Sequence, residues 1–384
     1  MTIRPFTVQI EEYILEDLKL RLSHTRWPDE LPNSGWEYGA NLAYMKQLIN
    51  YWQTEFDWRK QEEVLNKFGH FVAQIGGLSL HFIHERGKGP HPLPVVITHG
   101  WPGSFTEMTK ILPMLTDPVR FGGNSIDSFD VVVPSMPGFG FSDRPTKPGI
   151  DVFEIADLWA QLMDGLGYKR FCAQGGDFGA GVSTALGLYH SERLLGIHLN
   201  YIPGSYRPYL QPGEEKNLSG EEIQFLKDAD EWYLVEGGYS HIQRTKPQTV
   251  SYPLNDSPAG LAAWIVEKFH TWGDCHGNVE SRFTKDELLS NVMIYWITET
   301  ISSSVRLYYE GQKAPMHFKE GRLVSVPCGI AFFPREAPFP PRKWIERGYN
   351  VQHWTNMPNG GHFAAMEEPE LLVEDIRTFC RRFR

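Results

Sequence analysis

An aspartate crowded by small residues, in Ala173-Gln174-Gly175-Gly176-Asp177-Phe178-Gly179, stands between an apolar run and a stretch with helical spacing at Val182, Leu186 and Leu188. A strand-to-helix turn of this kind is a nucleophile elbow, where backbone strain projects one side chain above the sheet. Gly175 and Gly179 flank the central residue as the glycines of G-x-S-x-G do, and only the nucleophile differs, Asp for Ser. His99-Gly100-Trp101-Pro102-Gly103 directly follows the apolar run Val95 to Thr98. In an elbow fold that loop supplies one oxyanion-hole N–H and the residue after the nucleophile the other, so the expected donors are the backbone N–H groups of Trp101 and Phe178. Gly360-Gly361-His362-Phe363 follows the last strand-like run, where such a fold keeps its base. The order nucleophile, acid, base then asks for a carboxylate just past the run Val324 to Phe332. Glu336, in Phe333-Pro334-Arg335-Glu336, is the only one between Arg322 and Glu346. Taken singly, each segment has a plainer reading: an N-cap aspartate, a Trp-Pro-Gly turn with a cis proline, a surface or core histidine. Their agreement in position favours chemistry.

A carboxylate in place of serine changes which substrates make sense. Serine needs a base to become a nucleophile, whereas an ordinary aspartate, with a pKa of about 3.9, is already ionised at neutral pH. Attack on an acyl carbon would give a reactive anhydride. Attack on a saturated carbon gives a stable alkyl ester, and the difficulty moves to the second step. There His362, oriented by Glu336, takes a proton from water, and hydroxide attacks the Asp177 carbonyl carbon. The oxyanion hole stabilises the resulting tetrahedral intermediate. The substrate therefore carries a leaving group on an sp³ carbon, an epoxide or a halide.

These residues need a scaffold that brings distant segments together. Apolar runs at Val95–Thr98, Asp130–Val133, Arg170–Ala173, Leu195–Asn200, Val324–Phe332 and Val351–Thr355 alternate with helical patterns. That alternation implies a mostly parallel sheet covered on both faces, with its site beyond the carboxyl ends of the strands. A hairpin from Phe71 to His84 turns at Gly76-Gly77. The expected organisation is an N-terminal helical arm over residues 1–70, an α/β-hydrolase core over 71–205 and 321–384, and a helical cap over 206–320 with patterns at Glu221–Tyr233, Ala259–His270 and Lys285–Tyr309.

The bulk numbers set the class. With 41% hydrophobic and 22% charged residues in 384, the chain reads as globular and not disordered. A net charge of −10 leaves no electrostatic footprint for nucleic acid. Cys172, Cys275, Cys328 and Cys380 form no metal-spaced pair, so reduced thiols, no metal and no cofactor are expected. Met1 to Trp27 is amphipathic and interrupted by charges, which argues against a signal peptide or membrane span and for a cytoplasmic protein.

With these residues in hand, the sequence resembles the microsomal-type epoxide hydrolases of the α/β-hydrolase superfamily over nearly the whole chain. The likeness includes Arg26-Trp27-Pro28-Asp29, His99-Gly100-Trp101-Pro102, Gly175-Gly176-Asp177, Phe333-Pro334-Arg335-Glu336 and Gly360-Gly361-His362-Phe363-Ala364-Ala365. It implies a small-molecule epoxide and water as reactants and two cap tyrosines that assist ring opening. The matching segments are Gly238-Tyr239-Ser240 and Arg306-Leu307-Tyr308-Tyr309, which give Tyr239 and Tyr308, with Tyr309 one residue away as an alternative. Phenols of pKa about 10 can hydrogen-bond or protonate the departing alkoxide. Mammalian members carry an N-terminal membrane anchor, and this chain begins directly with the arm. A haloalkane dehalogenase shares the aspartate and the ester but typically sets a tryptophan beside the nucleophile, where this chain has Phe178. A non-catalytic binding protein on the same fold is a second alternative, and a homodimer stays open.

Overall fold

The computed structural model describes residues 1–203, 205–318 and 320–384. Nine strands form one sheet: β1 (Ile3–Pro5), β2 (His70–Ile75), β3 (Leu78–Glu85), β4 (Leu93–Thr98), β5 (Phe129–Pro134), β6 (Phe171–Gly175), β7 (Leu194–Leu199), β8 (Val324–Phe332) and β9 (Tyr349–Asn356). Their spatial order is β1-β2-β3-β5-β4-β6-β7-β8-β9, antiparallel from β1 through β5 along that edge and parallel beyond. The chain runs from β4 to β5 on one side, then crosses to β6 on the other. That reversal is a topological switch point, and it puts the ends of β4 and β6 beside one another. Residues such as Val95, Val96, Ile97, Val131, Val132 and Ala173 are wholly buried, as strands covered on both faces require.

The chain enters through β1 and three helices, α1 (Glu12–Ser23), α2 (Leu42–Thr54) and α3 (Trp58–Leu65). Leu15, Leu18 and Leu22 of α1 and Met45, Leu48, Ile49 and Trp52 of α2 supply their buried stripes. The expectation of a wholly helical arm misses β1. Three residues ending in proline carry no periodicity, and the strand exists because Ile3 to Pro5 pair with Phe71 to Ala73 far along the chain. Gly76 and Gly77 turn the β2–β3 hairpin with φ of 59° and 79°, a left-handed pair that glycine adopts without strain.

The helices α4 (Ile111–Thr116), α5 (Val152–Gly165) and α6 (Asp177–Tyr189) cover the sheet before the cap begins. The cap is wholly helical among the described residues: α7 (Gly220–Glu236), α8 (Gly238–Thr245), α9 (Pro247–Asp256), α10 (Pro258–Trp272), α11 (Lys285–Thr298) and α12 (Ile301–Lys313). The helical pattern read across Lys285 to Tyr309 is two helices. Glu299 takes a left-handed φ of 53°, and the N–H groups of Glu299 and Thr300 turn back to the carbonyls of Trp296 and Tyr295. The break bends α12 back across α8 and α9. After β8 come α13 (Arg342–Gly348), then β9, α14 (Ala364–Glu367) and α15 (Pro369–Cys380).

Candidate active site

Asp177 opens α6 directly after β6, with a left-handed φ of 48°. A non-glycine residue there costs on the order of 1–2 kcal/mol, a strain the surrounding packing has to hold. The glycines around it are needed for close approach. A Cβ on Gly175 would lie 2.3 Å from Gly179 C, and one on Gly179 would lie 2.0 Å from Thr98 O. A Cβ on Gly100 would meet the Asp177 side chain itself at 2.3 Å.

Trp101 N donates to Asp177 Oδ1 at 2.9 Å. Phe178 N–H lies in the first turn of α6, among the groups that a helix leaves without an internal partner, and the helix dipole favours negative charge at that end. The loop holding Trp101 is fixed from two sides. His99 Nδ1 pairs with Gly100 O at 3.0 Å, and Met136 N donates to His99 Nε2 at 3.3 Å, which puts the proton on Nδ1. Burial lowers the His99 pKa to about 4, so the ring stays neutral. From the cap, Asn291 Nδ2 donates to Pro102 O at 2.8 Å and Tyr295 Oη to Gly103 O at 2.6 Å. The Trp101-Pro102 peptide is cis.

Glu336 and His362 come from the loops after β8 and β9. His362 Nδ1 lies 2.8 Å from Glu336 Oε1, and its Nε2 lies 3.5 Å from Asp177 Oδ2. The structure thus brings Asp177, Glu336 and His362 into one chain of contacts. Burial alone would lower the His362 pKa. The charge of Glu336 and the hydrogen bonds to Asp177 and Glu336 outweigh it and hold the imidazole well above its ordinary value. His362 N donates to Trp272 O at 3.0 Å, and Glu367 accepts N–H bonds from Gly361, Phe363 and Asp274. The histidine loop is therefore tied to the end of the cap helix α10.

Tyr239 on α8 and Tyr308 on α12 meet over this constellation. Tyr239 stacks on Trp101 at 5.3 Å and 7°, and Tyr308 stands edge-on to Trp101, Phe178 and Tyr239 at 5.7, 4.8 and 5.8 Å. Burial raises both phenol pKa values. Lys268, buried on α10, places its ammonium 4.9 Å from the Tyr239 ring centroid. Tyr309 lies instead against Lys313, 4.1 Å from its ring. Adjacent residues on a helix point about 100° apart, so only one of the two tyrosines faces inward.

Several neighbours were invisible to motif reasoning. Trp272 packs 5.1 Å from both the Tyr239 and His362 rings, and Tyr201 stands edge-on to His362 at 5.6 Å. Glu107, buried in a 3₁₀ turn after the Trp101 loop, is also part of the site. Nothing in its surroundings, Phe105-Thr106-Glu107-Met108-Thr109-Lys110, marks this carboxylate in the sequence.

An elbow that presents a carboxylate, with an imidazole–carboxylate pair beside it, defines an α/β hydrolase with an aspartate at the nucleophile position. Residues 3–108 match the family model described as the epoxide hydrolase N terminus, and residues 94–215 match the alpha/beta hydrolase fold. Epoxide hydrolase 1 of Oryctolagus cuniculus is 41% identical over 98% of this chain and 88% of its own length. The juvenile hormone epoxide hydrolase of Bombyx mori superposes with a TM-score of 0.85 at 32% identity, covering 100% of this chain and 94% of that one. The Aspergillus niger epoxide hydrolase gives 0.87 at 30%, with coverage of 100% and 97%. The chain belongs to the epoxide hydrolase family, enzymes that add water to an epoxide to give a vicinal diol. Among the described residues no helix is long and apolar enough to cross a membrane.

Proposed function

We propose that Asp177 is the nucleophile, Tyr239 and Tyr308 the acids, His362 the hydrolytic base with Glu336 as its orienting partner, and the Trp101 and Phe178 N–H groups the oxyanion hole. The carrying observation is the division of the Asp177 carboxylate: Trp101 N–H holds Oδ1, and His362 Nε2 faces Oδ2 at 3.5 Å. Oδ2 attacks an epoxide carbon, the ring C–O bond breaks, and a tyrosine phenol gives its proton to the departing oxygen. Oδ1 becomes the ester carbonyl, already on its oxyanion donor.

Ester formation also prepares the second step. The Asp177 charge and hydrogen bond help to hold the His362 pKa up. Esterification removes that charge, the imidazole pKa falls, its proton passes to the tyrosinate left by ring opening, and His362 becomes a free base when water must be deprotonated. The aromatic walls from Trp101, Phe178, Tyr201 and Trp272 favour a bulky, apolar epoxide. Four buried free thiols suit a reducing compartment, which supports a cytoplasmic setting.

A single-turnover reaction of styrene oxide in ¹⁸O-water tests this reading. The expected result is label in the Asp177 peptide and none in the first-turnover diol. Label in that first diol means direct attack by water and removes Asp177 from the nucleophile role.

A further inference from the structure

Beneath Asp177, on the side of the core, lies a small cavity with about 20 Å³ open to the centre of a water molecule. A volume of roughly 10–15 Å³ by this measure holds one water, provided polar partners surround it. Its walls include Asp177, His362, Glu107, Gln174, Asn200 and Gly100. Neither cap tyrosine is among its described lining residues, so it adjoins the face of the carboxylate away from the ring-opening acids.

Two side chains on this wall are unaccounted for by the mechanism above. Glu107 Oε1 and Gln174 Oε1 are buried and have no hydrogen-bond partner among the described residues. A buried polar atom left without a partner costs about 1–3 kcal/mol, so two of them on one cavity wall need an explanation. The Gln174 amide is oriented by its own Nε2, which donates to Asn200 Oδ1 at 2.8 Å and leaves Oε1 as the open acceptor. Glu107 Oε1 is held against the Trp101 loop so tightly that a Cβ on Gly103 would fall 1.6 Å from it. Burial raises the Glu107 pKa to about 8, so near neutral pH its carboxyl is mostly protonated and sets no second negative charge beside Asp177.

We propose that this cavity seats the water that hydrolyses the Asp177 ester, and that Glu107 and Gln174 hold and aim it. The proposal rests on the ester route above and adds its second substrate site. The neutral Glu107 carboxyl donates to the water oxygen, Gln174 Oε1 accepts one water hydrogen, and the other passes to His362 Nε2 as the oxygen bonds to Asp177 Cγ. The Cγ–O bond to the product then breaks, and the diol alkoxide takes the proton from His362. Asp177 is left as a carboxylic acid, whose proton passes to His362 and restores the starting charge state. Of the two reactants, Glu107 and Gln174 hold the water and not the epoxide, so they act in the second half-reaction and not the first.

The test is a rapid-quench reaction with styrene oxide, following protein-bound ester by mass and diol release, in wild type, His362→Gln, Glu107→Ala, Glu107→Gln and Gln174→Met. Glu107→Ala is expected to form ester at the wild-type rate and lose it about 100-fold more slowly, the cost of a misplaced reactant. Glu107→Gln, which keeps a neutral hydrogen-bond donor, should decay close to the wild-type rate. Gln174→Met should show the same selective slowing, about tenfold, if one of two water anchors is lost. Wild-type decay in either Glu107→Ala or Gln174→Met, or equal slowing of formation and decay, overturns the water site. Because Gln174→Met leaves Glu107 intact, the proposal stays testable if Glu107→Ala does not fold. Ester that accumulates in His362→Gln while the Glu107 and Gln174 variants behave as wild type removes only the water site. No ester in any protein removes the nucleophile reading instead.

Discussion

The core half and the cap half of the site are held by different forces. On the core side, strand ends and backbone hydrogen bonds fix Asp177, Trp101, Glu336 and His362, and glycine–backbone approaches of 2.0–2.3 Å to a would-be Cβ leave no slack. On the cap side, ring contacts of 4.8–5.8 Å position Tyr239 and Tyr308. Hydrogen bonds and steric exclusion specify geometry to a fraction of an ångström, whereas ring packing tolerates shifts. The half that makes and breaks the ester is rigid, and the half that meets the variable substrate is adaptable.

The sharpest way to break the comparison is Asp177→Ala, expected to lower diol formation roughly 10⁴-fold or more while near-ultraviolet circular dichroism stays native. Substantial retained turnover would mean that the rigid half is not where the bond forms. Tyr239→Phe with Tyr308→Phe should slow ester formation roughly 10³-fold, since both acids for the alkoxide are gone. Normal ester formation in that variant would leave the cap with a packing role only. Glu336→Gln should slow ester hydrolysis roughly 100-fold and spare its formation. Because Glu336 helps to raise the His362 pKa, its loss should also move the rising limb of the hydrolysis–pH profile to lower pH. A limb that stays in place would show that Glu336 orients the ring without tuning it. The smallest effect is expected for Lys268→Met, which removes a buried cation facing the Tyr239 ring, an interaction of about 2 kcal/mol when desolvated. A loss of up to about 30-fold in ring opening, with hydrolysis untouched, is the outcome to measure.

The same division explains what the sequence discloses. The core half is written locally: a crowded strand-to-helix turn needs Gly175 and Gly179 beside Asp177, and each other group follows directly on a strand. Tyr239 and Tyr308 are two of 16 tyrosines, placed by helices that cross only in three dimensions, so likeness to a family pointed to them and spacing did not. Glu299 ends α11 without a glycine to announce it, and β1 exists only through a partner strand some seventy residues away. Glu107 escaped because nothing in an isolated carboxylate tells which cavity it will line.

The bond from His362 N to Trp272 O, with Glu367 spanning Gly361, Phe363 and Asp274, has a mechanical consequence. These bonds couple His362, the proposed base, to the end of α10 that roofs the site. A hinge that lifted α10 away would carry the imidazole off its carboxylate partners, so every opened state is also a disarmed one. Diol departure must then work through side-chain rearrangement between α8 and α12, while amide exchange at Gly361, His362, Phe363 and Asp274 proceeds as a single cooperative unit.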